Sequence, residues 1–205
     1  TRDIAVLTTD QVASLQTSQI AALETDQVAA LKTSQIGALS TTNLNVLGTA
    51  QVQAITTADI AQLTTGQVVA LRTDQVAALT TEQIVAIETQ DLVAWASGQI
   101  RALSSEQLTV LETAQIANLL TSQLVALSTD QLVVLGTEQI NALTSGQFNQ
   151  LTSTQVAALS TDQISNLSTQ QVVALTTVTL GAITTDQIAA LSSAQVVKLT
   201  TANIA

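Results

Sequence analysis

Residues 73–88 read Thr-Asp-Gln-Val-Ala-Ala-Leu-Thr-Thr-Glu-Gln-Ile-Val-Ala-Ile-Glu, which is one octapeptide followed by a close copy of itself. The same pattern, Thr-x-Gln-(Ile/Val/Leu)-x-Ala-Leu-x, runs through all 205 residues without an insertion or a deletion. Thr or Ser stands at every eighth position from Thr1 to Thr201. A unit this short can bury its apolar side chains only against neighbouring copies, so the sequence predicts a stack of repeated units.

We number each copy from its Thr or Ser, which is position 1. The apolar side chains then fall at positions 4 and 7, three residues apart. This spacing places them on one face of a helix, whereas a strand would point them to opposite faces. Position 1 offers a hydroxyl that can cap a helix, and position 2 often carries an acidic residue, which suits the positive helix end. The pattern predicts an all-α solenoid with one very short helix per octapeptide.

Two other architectures are alternatives to the short-helix solenoid. In one continuous helix the apolar stripe would rotate by about 80° at every copy, faster than any helical partner can follow. A β-solenoid is the stronger alternative, because Thr, Val and Ile favour strands and short exact repeats occur in β-helices. The junctions, however, lack the Gly, Asn and Asp clusters that tight β-corners require.

The repeat position assigns a structural role to three sets of residues. The position-1 hydroxyls are expected to be helix caps, as at Thr1, Thr9, Thr17, Thr25, Thr33, Thr73 and Thr129. If position 8 is the cap instead, Thr-x-x-Gln becomes a capping box. Positions 4 and 7 form the expected core, which includes Ile20, Leu23, Val28, Leu31, Val76, Leu79 and Trp95.

The amide at position 3 has a structural explanation. A very short helix leaves most of its backbone groups without an internal partner. A Gln side chain carries two donors and an acceptor, so it can bond its own cap and the backbone of an adjacent coil. This role is expected of Gln11, Gln19, Gln27, Gln35, Gln75 and Gln131.

The arrangement of the helices in a coil is suggested by one weak pattern. Two short helices can face each other with their apolar sides, which predicts a 16-residue coil of two helices. Gly at position 2 occurs only in odd-numbered copies, at Gly66, Gly98 and Gly146, as such pairing would produce. Residues 1–205 are expected to form a single continuous octapeptide-repeat solenoid, which is a fragment of a longer array.

Composition excludes several kinds of site. The chain has no His, Cys, Met, Pro or Tyr, so the preferred ligands of heme, zinc, copper and iron–sulfur clusters are missing, as is any Ser-His-Asp or Cys-His arrangement. The position-2 carboxylates are isolated and lack the clustered oxygens that calcium requires. We therefore expect no cofactor and no enzymatic activity.

Charge and hydropathy restrict the kinds of partner that the chain is expected to bind. The net charge is −10, and only Arg2, Lys32, Arg72, Arg101 and Lys198 are positive. Most of the chain would repel a phosphate backbone, so no nucleic acid is expected as a partner. No apolar run approaches the roughly 20 residues that span a bilayer, so a membrane-spanning segment is not expected either.

Trp95 and Phe148 are the only aromatic residues. Trp95 replaces Leu at position 7 and is interpreted as a core residue that fills a local gap. The alternative is a sugar-stacking platform flanked by Arg72 and Arg101. Phe148 occupies a position-4 site and has the same core interpretation.

Units such as Thr-Thr-Asp-Gln-Ile-Ala-Ala-Leu at Thr184–Leu191 resemble the octapeptide arrays of very large secreted bacterial surface proteins, often labelled adhesins or heme-utilisation proteins. That resemblance implies an extracellular or cell-surface location. Leu63–Leu71 is similar to the opening helix of TAL-effector repeats, but that family needs a repeat about four times longer and a positive DNA-facing surface, and this chain has neither.

The functional expectation follows from the pattern and the resemblance together. The first hypothesis is a structural repeat protein, the shaft of an extracellular stalk, fibre or adhesin. Its expected partners are other copies of itself, end to end or laterally, or other domains of the same chain. The alternative is a binding module that recognises a glycan or a protein through variable positions 2, 5 and 8. Those positions hold mainly small residues, which favours the shaft.

Overall fold

The computed structural model describes the backbone of residues 2–199 and the side chains of residues 4–199. Within this range every regular element is a helix of four to six residues that lies inside one octapeptide. The prediction of an all-α solenoid with one very short helix per octapeptide is confirmed. The chain divides into two compact units, unit 1 (Thr1–Leu103) and unit 2 (Ser104–Ala205).

The helices of both units are numbered in chain order. Those of unit 1 are α1 (Arg2–Ala5), α2 (Thr9–Ala13), α3 (Thr17–Ala21), α4 (Thr25–Ala29), α5 (Thr33–Gly37), α6 (Thr41–Asn45), α7 (Thr49–Gln53), α8 (Thr57–Ile60), α9 (Thr65–Val69), α10 (Thr73–Ala78), α11 (Thr81–Ala86), α12 (Thr89–Val93) and α13 (Ser97–Arg101). Those of unit 2 are α14 (Ser105–Thr109), α15 (Thr113–Asn118), α16 (Thr121–Ala126), α17 (Thr129–Val133), α18 (Thr137–Ala142), α19 (Ser145–Asn149), α20 (Ser153–Ala158), α21 (Thr161–Ser165), α22 (Thr169–Ala174), α23 (Thr177–Gly181), α24 (Thr185–Ala190) and α25 (Ser193–Val196).

From α2 onward, each helix begins at position 1 and follows an extended N-cap residue at position 8. Before α9, Thr64 has φ −73° and ψ 155°, and its hydroxyl accepts from the Gln67 backbone N–H at 3.3 Å. Gln67 Oε1 accepts in return from the Thr64 N–H at 2.9 Å, which completes a capping box. The Gln half of the box persists where the cap has no hydroxyl, as at Gly48 and Ala96.

The expectation that position 1 is the cap is wrong by one residue. The expected caps Thr9, Thr17, Thr25, Thr33, Thr73 and Thr129 are first helical residues, and the N-caps before them are Thr8, Gln16, Glu24, Lys32, Arg72 and Ser128. Thr1 lies outside the described residues. The physical reason is the capping box, whose two partners must be three residues apart. Position 3 is three residues after position 8 and only two after position 1.

Within each unit, the helices that pack together are three octapeptides apart along the chain. In unit 1 the packed pairs include α2 with α5, α3 with α6, and α7 with α10. In unit 2 they include α15 with α18, α19 with α22, and α21 with α24. One turn of the solenoid therefore holds three octapeptides, which is 24 residues. The expected 16-residue coil of two helices is wrong.

The backbone of the corners explains why the coil has three sides. Between α10 and α11, Leu79 has φ −55° and ψ 142°, and Thr80 has φ −73° and ψ 163°. Both residues are extended, so the chain changes direction at the corner without reversing and then enters the next helix. A coil of two helices would need the chain to reverse completely at every junction, and two extended residues do not make such a turn.

The apolar side chains of positions 4 and 7 fill the inside of the coils. From Val12 to Val172, no position-4 side chain is more than 2% exposed. Burying each such side chain contributes about 1.5–3 kcal/mol. Of the expected core residues, those buried are Ile20, Val28, Leu31, Val76, Leu79 and Trp95. Leu23, in the first described coil, is half-buried.

Candidate functional site

The position-3 amide joins each coil to the coil before it. In Gln75, Oε1 accepts from the N-cap N–H of Arg72 at 2.8 Å. Its Nε2 donates to the carbonyls of Leu44 and Leu47, each at 2.8 Å. Leu44 and Leu47 are positions 4 and 7 of the octapeptide that contains α6, four octapeptides earlier. One amide thus caps its own helix and binds the end of a helix in the preceding coil. We call this arrangement the glutamine bridge.

The glutamine bridge recurs at buried amides in both units. In unit 1 it is made by Gln35, Gln51, Gln67, Gln75, Gln83 and Gln99. In unit 2 it is made by Gln139, Gln147, Gln155, Gln163, Gln171, Gln187 and Gln195. In the described part of the chain, no buried side-chain nitrogen or oxygen lacks a hydrogen-bond partner.

The energetic weight of the bridge comes mainly from what its removal would leave behind. A hydrogen bond between protein groups contributes about 0.5–1.5 kcal/mol net, whereas a buried polar group left without a partner costs about 1–3 kcal/mol. At Gln75 the amide satisfies one backbone N–H and two carbonyls at once. Loss of the amide would therefore affect two coils.

Of the amides expected from the sequence to satisfy backbone groups, Gln35 and Gln75 make the full bridge. Gln131 is buried and accepts from the N–H of its cap, Ser128, at 2.9 Å. Gln11, Gln19 and Gln27 belong to α2, α3 and α4, and the described residues include no octapeptide four repeats before these helices to supply the carbonyls. Each accepts only from the N–H of its own cap, at 2.8–2.9 Å.

Four inner position-3 residues are not Gln, and their contacts differ. Asn43 Nδ2 still reaches the Leu15 carbonyl of the preceding coil at 3.2 Å. The Asp59 carboxylate accepts from the Thr56 hydroxyl at 2.6 Å, and the Asp91 carboxylate accepts from the Thr65 hydroxyl at 2.5 Å. The Thr179 hydroxyl makes hydrogen bonds to its own cap, Thr176. An Asp side chain has no N–H group, so Asp59 and Asp91 do not provide the amide donors with which Gln binds two carbonyls.

Trp95 lies in the core and is only 2% exposed. Its indole Nε1 donates to the carbonyl of Val68, in the preceding coil, at 3.0 Å. The buried ring cannot offer a stacking face to a sugar in solution, so the interpretation of Trp95 as a core residue is the correct one. The indole hydrogen bond also joins two coils, and no local pattern in the sequence predicts this contact.

The outer surface carries isolated charges. Arg72 donates to the Asp74 carboxylate at 2.8–2.9 Å, and this hydrogen bond lowers the pKa of Asp74. The pKa of Glu82 is lowered chiefly by its own backbone N–H and then by the Thr80 hydroxyl. In the described part of the chain, no three His, Cys, Asp or Glu residues lie close enough together to hold a metal ion.

Two shallow grooves run between stacked helices on this surface. The first, between α6 and α9, is lined by Thr41, Thr42, Asn45, Val46 and Ala70. The second, along α19, α22 and α25, is lined by Ser145, Thr169, Gln170, Val173 and Lys198. Both grooves consist of side chains from the outward-facing positions 1, 2, 5 and 6.

None of the described helices has the length and the apolar character that a membrane-crossing helix requires.

The octapeptide array matches a known repeat family along almost its whole length. The ALTTAQ repeat matches eight overlapping segments: residues 1–33, 20–57, 28–65, 52–86, 84–121, 116–153, 145–177 and 169–201. The chain belongs to the ALTTAQ repeat family. No curated protein matches the chain.

The six letters of the ALTTAQ repeat correspond to one structural feature of this chain. Ala78–Gln83 reads Ala-Leu-Thr-Thr-Glu-Gln, which covers positions 6, 7, 8, 1, 2 and 3. This segment contains the corner residue Leu79, the N-cap Thr80 and the bridging Gln83. The ALTTAQ motif thus describes a corner and its glutamine bridge, with its last residue reaching into the preceding coil.

Proposed function

We propose that this ALTTAQ solenoid is a structural spacer, the shaft of an extracellular stalk, fibre or adhesin that holds other domains of the same chain apart. The observation that carries the proposal is the glutamine bridge. In the inner coils the recurring Gln side chain of position 3 is buried and attaches its coil to the previous one. Such coil-on-coil attachment lets length grow with the number of repeats.

The other regular positions support the same role. Positions 4 and 7 are used in the core, and position 8 is used as the cap. The positions that face outward, such as 2, 5 and 6, vary from copy to copy and hold mainly small side chains. A repeated ligand-binding surface would be expected to show large or charged residues recurring at these positions.

We also propose that the chain is not an enzyme and that it acts at the bacterial cell surface. The lack of His and Cys supports the first point, because the common nucleophile and base pairs need them. The resemblance to surface-protein arrays supports the second. Antibody labelling of intact cells tests the location: signal that appears only after the cells are permeabilised would contradict it.

The spacer role is tested by changing the number of coils. A second copy of residues 145–168, which is one coil of unit 2, is inserted after residue 168. We expect the largest dimension from small-angle scattering to grow by about 8–10 Å, the distance between packed helices. Helical content per residue from circular dichroism should stay unchanged.

The matched control inserts the same 24 residues in scrambled order, which keeps the composition but removes the octapeptide register. A spacer requires that only the ordered insert produces the fixed increment. If both inserts change the scattering profile equally, the spacer role is wrong. The two grooves then become candidates for the binding-module alternative, and a glycan array with the unsubstituted chain examines that directly.

A further inference from the structure

The glutamine bridge shows that several carbonyl oxygens converge on one point. In the octapeptide after α8, Gln67 Nε2 donates to the carbonyls of Ile36, Gly37 and Leu39 at 3.4, 3.2 and 2.8 Å. These carbonyls lie at the end of α5 and in the corner that follows it. The last carbonyls of a helix have no partner inside the helix and carry partial negative charge. The point at which they converge therefore attracts a positive group, which in a bridge is the amide N–H.

Asp59 occupies the bridging position of its own octapeptide, but its side chain has no N–H group. The three equivalent carbonyls are those of Val28, Ala29 and Leu31. Asp59 is only 3% exposed, and Leu31 is only 5% exposed. Among the described residues, no hydrogen bond reaches the Leu31 carbonyl. A buried acceptor without a partner is destabilising, so this carbonyl calls for a positive group from another source.

The two carboxyl oxygens of Asp59 have different surroundings. Oδ2 accepts from the hydroxyl of the cap, Thr56, at 2.6 Å, as Gln67 Oε1 accepts from the Thr64 hydroxyl at 3.1 Å. Oδ1 therefore corresponds to the amide nitrogen of a bridge, and it makes no hydrogen bond among the described residues. Since no fully buried side-chain oxygen in this part of the chain lacks a partner, Oδ1 keeps a small contact with solvent. That contact gives a small ion access to the carboxyl group.

The length of the side chain leaves space for such an ion. Asp is shorter than Gln by one methylene group, which is about 1.5 Å. Asn43 has the size of Asp, and its Nδ2 lies 3.2 Å from the Leu15 carbonyl, whereas Gln67 Nε2 lies 2.8 Å from the Leu39 carbonyl. The oxygens of Asp59 are therefore expected to stop short of the point at which the carbonyls converge.

We propose that this point in unit 1 binds a monovalent cation, for which sodium is the probe. Its protein ligands are Oδ1 of Asp59 and the carbonyl oxygens of Val28, Ala29 and Leu31. Hard cations prefer oxygen ligands of this kind, and free carbonyls at helix ends coordinate sodium. The cation takes the place of the amide group and joins the two coils in its stead.

The charge of the site favours a monovalent ion. A single carboxylate balances one positive charge, whereas the tighter calcium sites gather several carboxylates. Among the described residues no basic side chain forms an ion pair with Asp59. Lys32 follows Leu31 in the sequence, but its side chain is exposed. The protein itself therefore supplies no cation to this carboxyl group.

Asp91 provides an internal comparison, because it is also a buried position-3 residue of unit 1. The hydroxyl of Thr65, which belongs to the preceding coil, donates to Asp91 at 2.5 Å. At Asp59 the equivalent residue is Thr33, whose hydroxyl makes no hydrogen bond among the described residues. A donor from the preceding coil is thus present at Asp91 and missing at Asp59, so sodium should stabilise the coil of Asp59 more.

The experiment follows amide hydrogen exchange of the whole chain in two buffers of equal ionic strength. One contains sodium chloride, and the other contains tetramethylammonium chloride, whose cation is too large for the site. An ion that binds only the closed coil lowers the population of the open form. We expect sodium to slow exchange in α4 and α8 by about fivefold or more, and to change exchange in α9 and α12 by less than about twofold.

Two substitutions and one control separate the ion from other effects. Asp59→Asn keeps the size of the side chain and removes its charge, and Asp59→Gln supplies the amide of a bridge. Both should abolish the effect of sodium on α4 and α8. Asp26→Asn removes an exposed carboxylate from α4 and should leave the effect intact. Broadening of the sodium NMR signal, which reports the bound ion directly, should follow the same pattern.

Three results would overturn the proposal. Equal exchange of α8 in the two buffers would mean that sodium does not bind and that another group, such as water, satisfies the carbonyls. An effect of sodium that persists in Asp59→Asn would place the ion elsewhere. Stabilisation by calcium chloride at the same ionic strength, with none by sodium, would assign the site to a divalent ion. The spacer role is independent of all three results, because the coil-insertion test measures length rather than local stability.

Discussion

Unit 1 and unit 2 share one repeat and one coil, yet they differ in how regularly position 3 is Gln. Between Gln35 and Gln99 unit 1 replaces three of these residues, by Asn43, Asp59 and Asp91. Within the described part of unit 2 only Thr179 interrupts the series. Both units keep the coil of three helices. The core and the corners therefore set the coil, while the glutamine bridge supplies additional hydrogen bonds between coils.

Replacement of Gln at position 3 is expected to lower stability locally. In a solenoid each coil contacts only its neighbours, so a weak contact lowers stability locally rather than throughout the array. Amide hydrogen exchange resolves such local opening. We expect the fastest-exchanging inner coils of unit 1 to be those that contain Asp59 and Asp91, and those of unit 2 to be the coils on either side of Thr179.

The largest effect is expected from the aromatic residue of each unit. Trp95→Ala in unit 1 and Phe148→Ala in unit 2 each open a cavity, which costs about 3–5 kcal/mol. Trp95→Ala should cost more, because it also removes the donor to the Val68 carbonyl. Amide hydrogen exchange, monitored separately in each unit during urea unfolding, measures the stability cost of both substitutions. Trp95→Phe keeps one aromatic ring but loses the indole N–H and part of the buried ring volume, so its cost is an upper limit on the contribution of the hydrogen bond. Equal costs for Trp95→Ala and Trp95→Phe would show that packing matters little there.

The next effect is expected when unit 2 is given a defect of the unit 1 type. Gln155→Asp removes the donor to Leu124 and Leu127 and places a carboxylate beside their carbonyls. We expect a loss of about 1–3 kcal/mol for the groups left without partners. Exchange should accelerate in α16 and α20 and stay unchanged in distant helices.

The matched control for this variant is Thr154→Asp, the neighbouring exposed residue, which adds the same charge at a helix start. That charge lies in the first turn, where a negative residue is neutral or slightly stabilising. If Gln155→Asp and Thr154→Asp have the same stability, the bridge contributes nothing, and the difference between the units has no energetic meaning.

The sequence predicts the helices correctly but does not predict how many helices form one turn of the coil. The spacing of positions 4 and 7 predicts one helix per octapeptide, because it depends only on the geometry of a single helix. The number of helices per turn depends on the corners, and exposed residues such as Gly66 and Gly98 say nothing about a corner. A better signal lay at position 8, where hydroxyl residues recur every 24 residues: Thr56, Thr80, Ser104, Ser128, Thr152 and Thr176.

The cap and the bridge illustrate the same limit. Position 1 always carries a hydroxyl, whereas the cap position 8 varies among Thr, Ser, Gly, Ala, Leu, Gln, Glu, Lys and Arg. That variation is tolerated because the Gln oxygen satisfies the cap N–H whichever side chain the cap carries. A contact between Gln75 and Leu44 spans 31 residues, and no local pattern reveals which coil supplies the carbonyl.

A smaller effect of opposite sign is expected when the defect in unit 1 is repaired. Asp59 is buried and occupies the position of a bridging amide. Asp59→Gln supplies a donor for the carbonyls of Val28 and Leu31, the equivalents of Leu44 and Leu47. We expect a gain of about 0.5–1.5 kcal/mol in the free energy of unfolding. Asp26→Gln removes the same charge from an exposed position-2 site and serves as the control. A gain in the control equal to that in Asp59→Gln would assign the effect to net charge.

The smallest effect is expected at the surface pair Arg72–Asp74, which lies outside the core and the bridges. The hydrogen bond from Arg72 lowers the pKa of Asp74 in the folded chain below its value in the unfolded chain. The pair therefore stabilises the fold above the unfolded pKa of about 4, and this contribution is lost as pH falls through the lowered folded pKa. We expect Asp74→Asn to lower the melting temperature slightly at pH 7 and to match the unsubstituted chain at pH 2. Because the pair is exposed, added salt should also shrink the difference at pH 7. A difference that persists at pH 2 and in high salt would assign the effect of the substitution to packing or helix capping, and the ion pair would then have no part in the stability of unit 1.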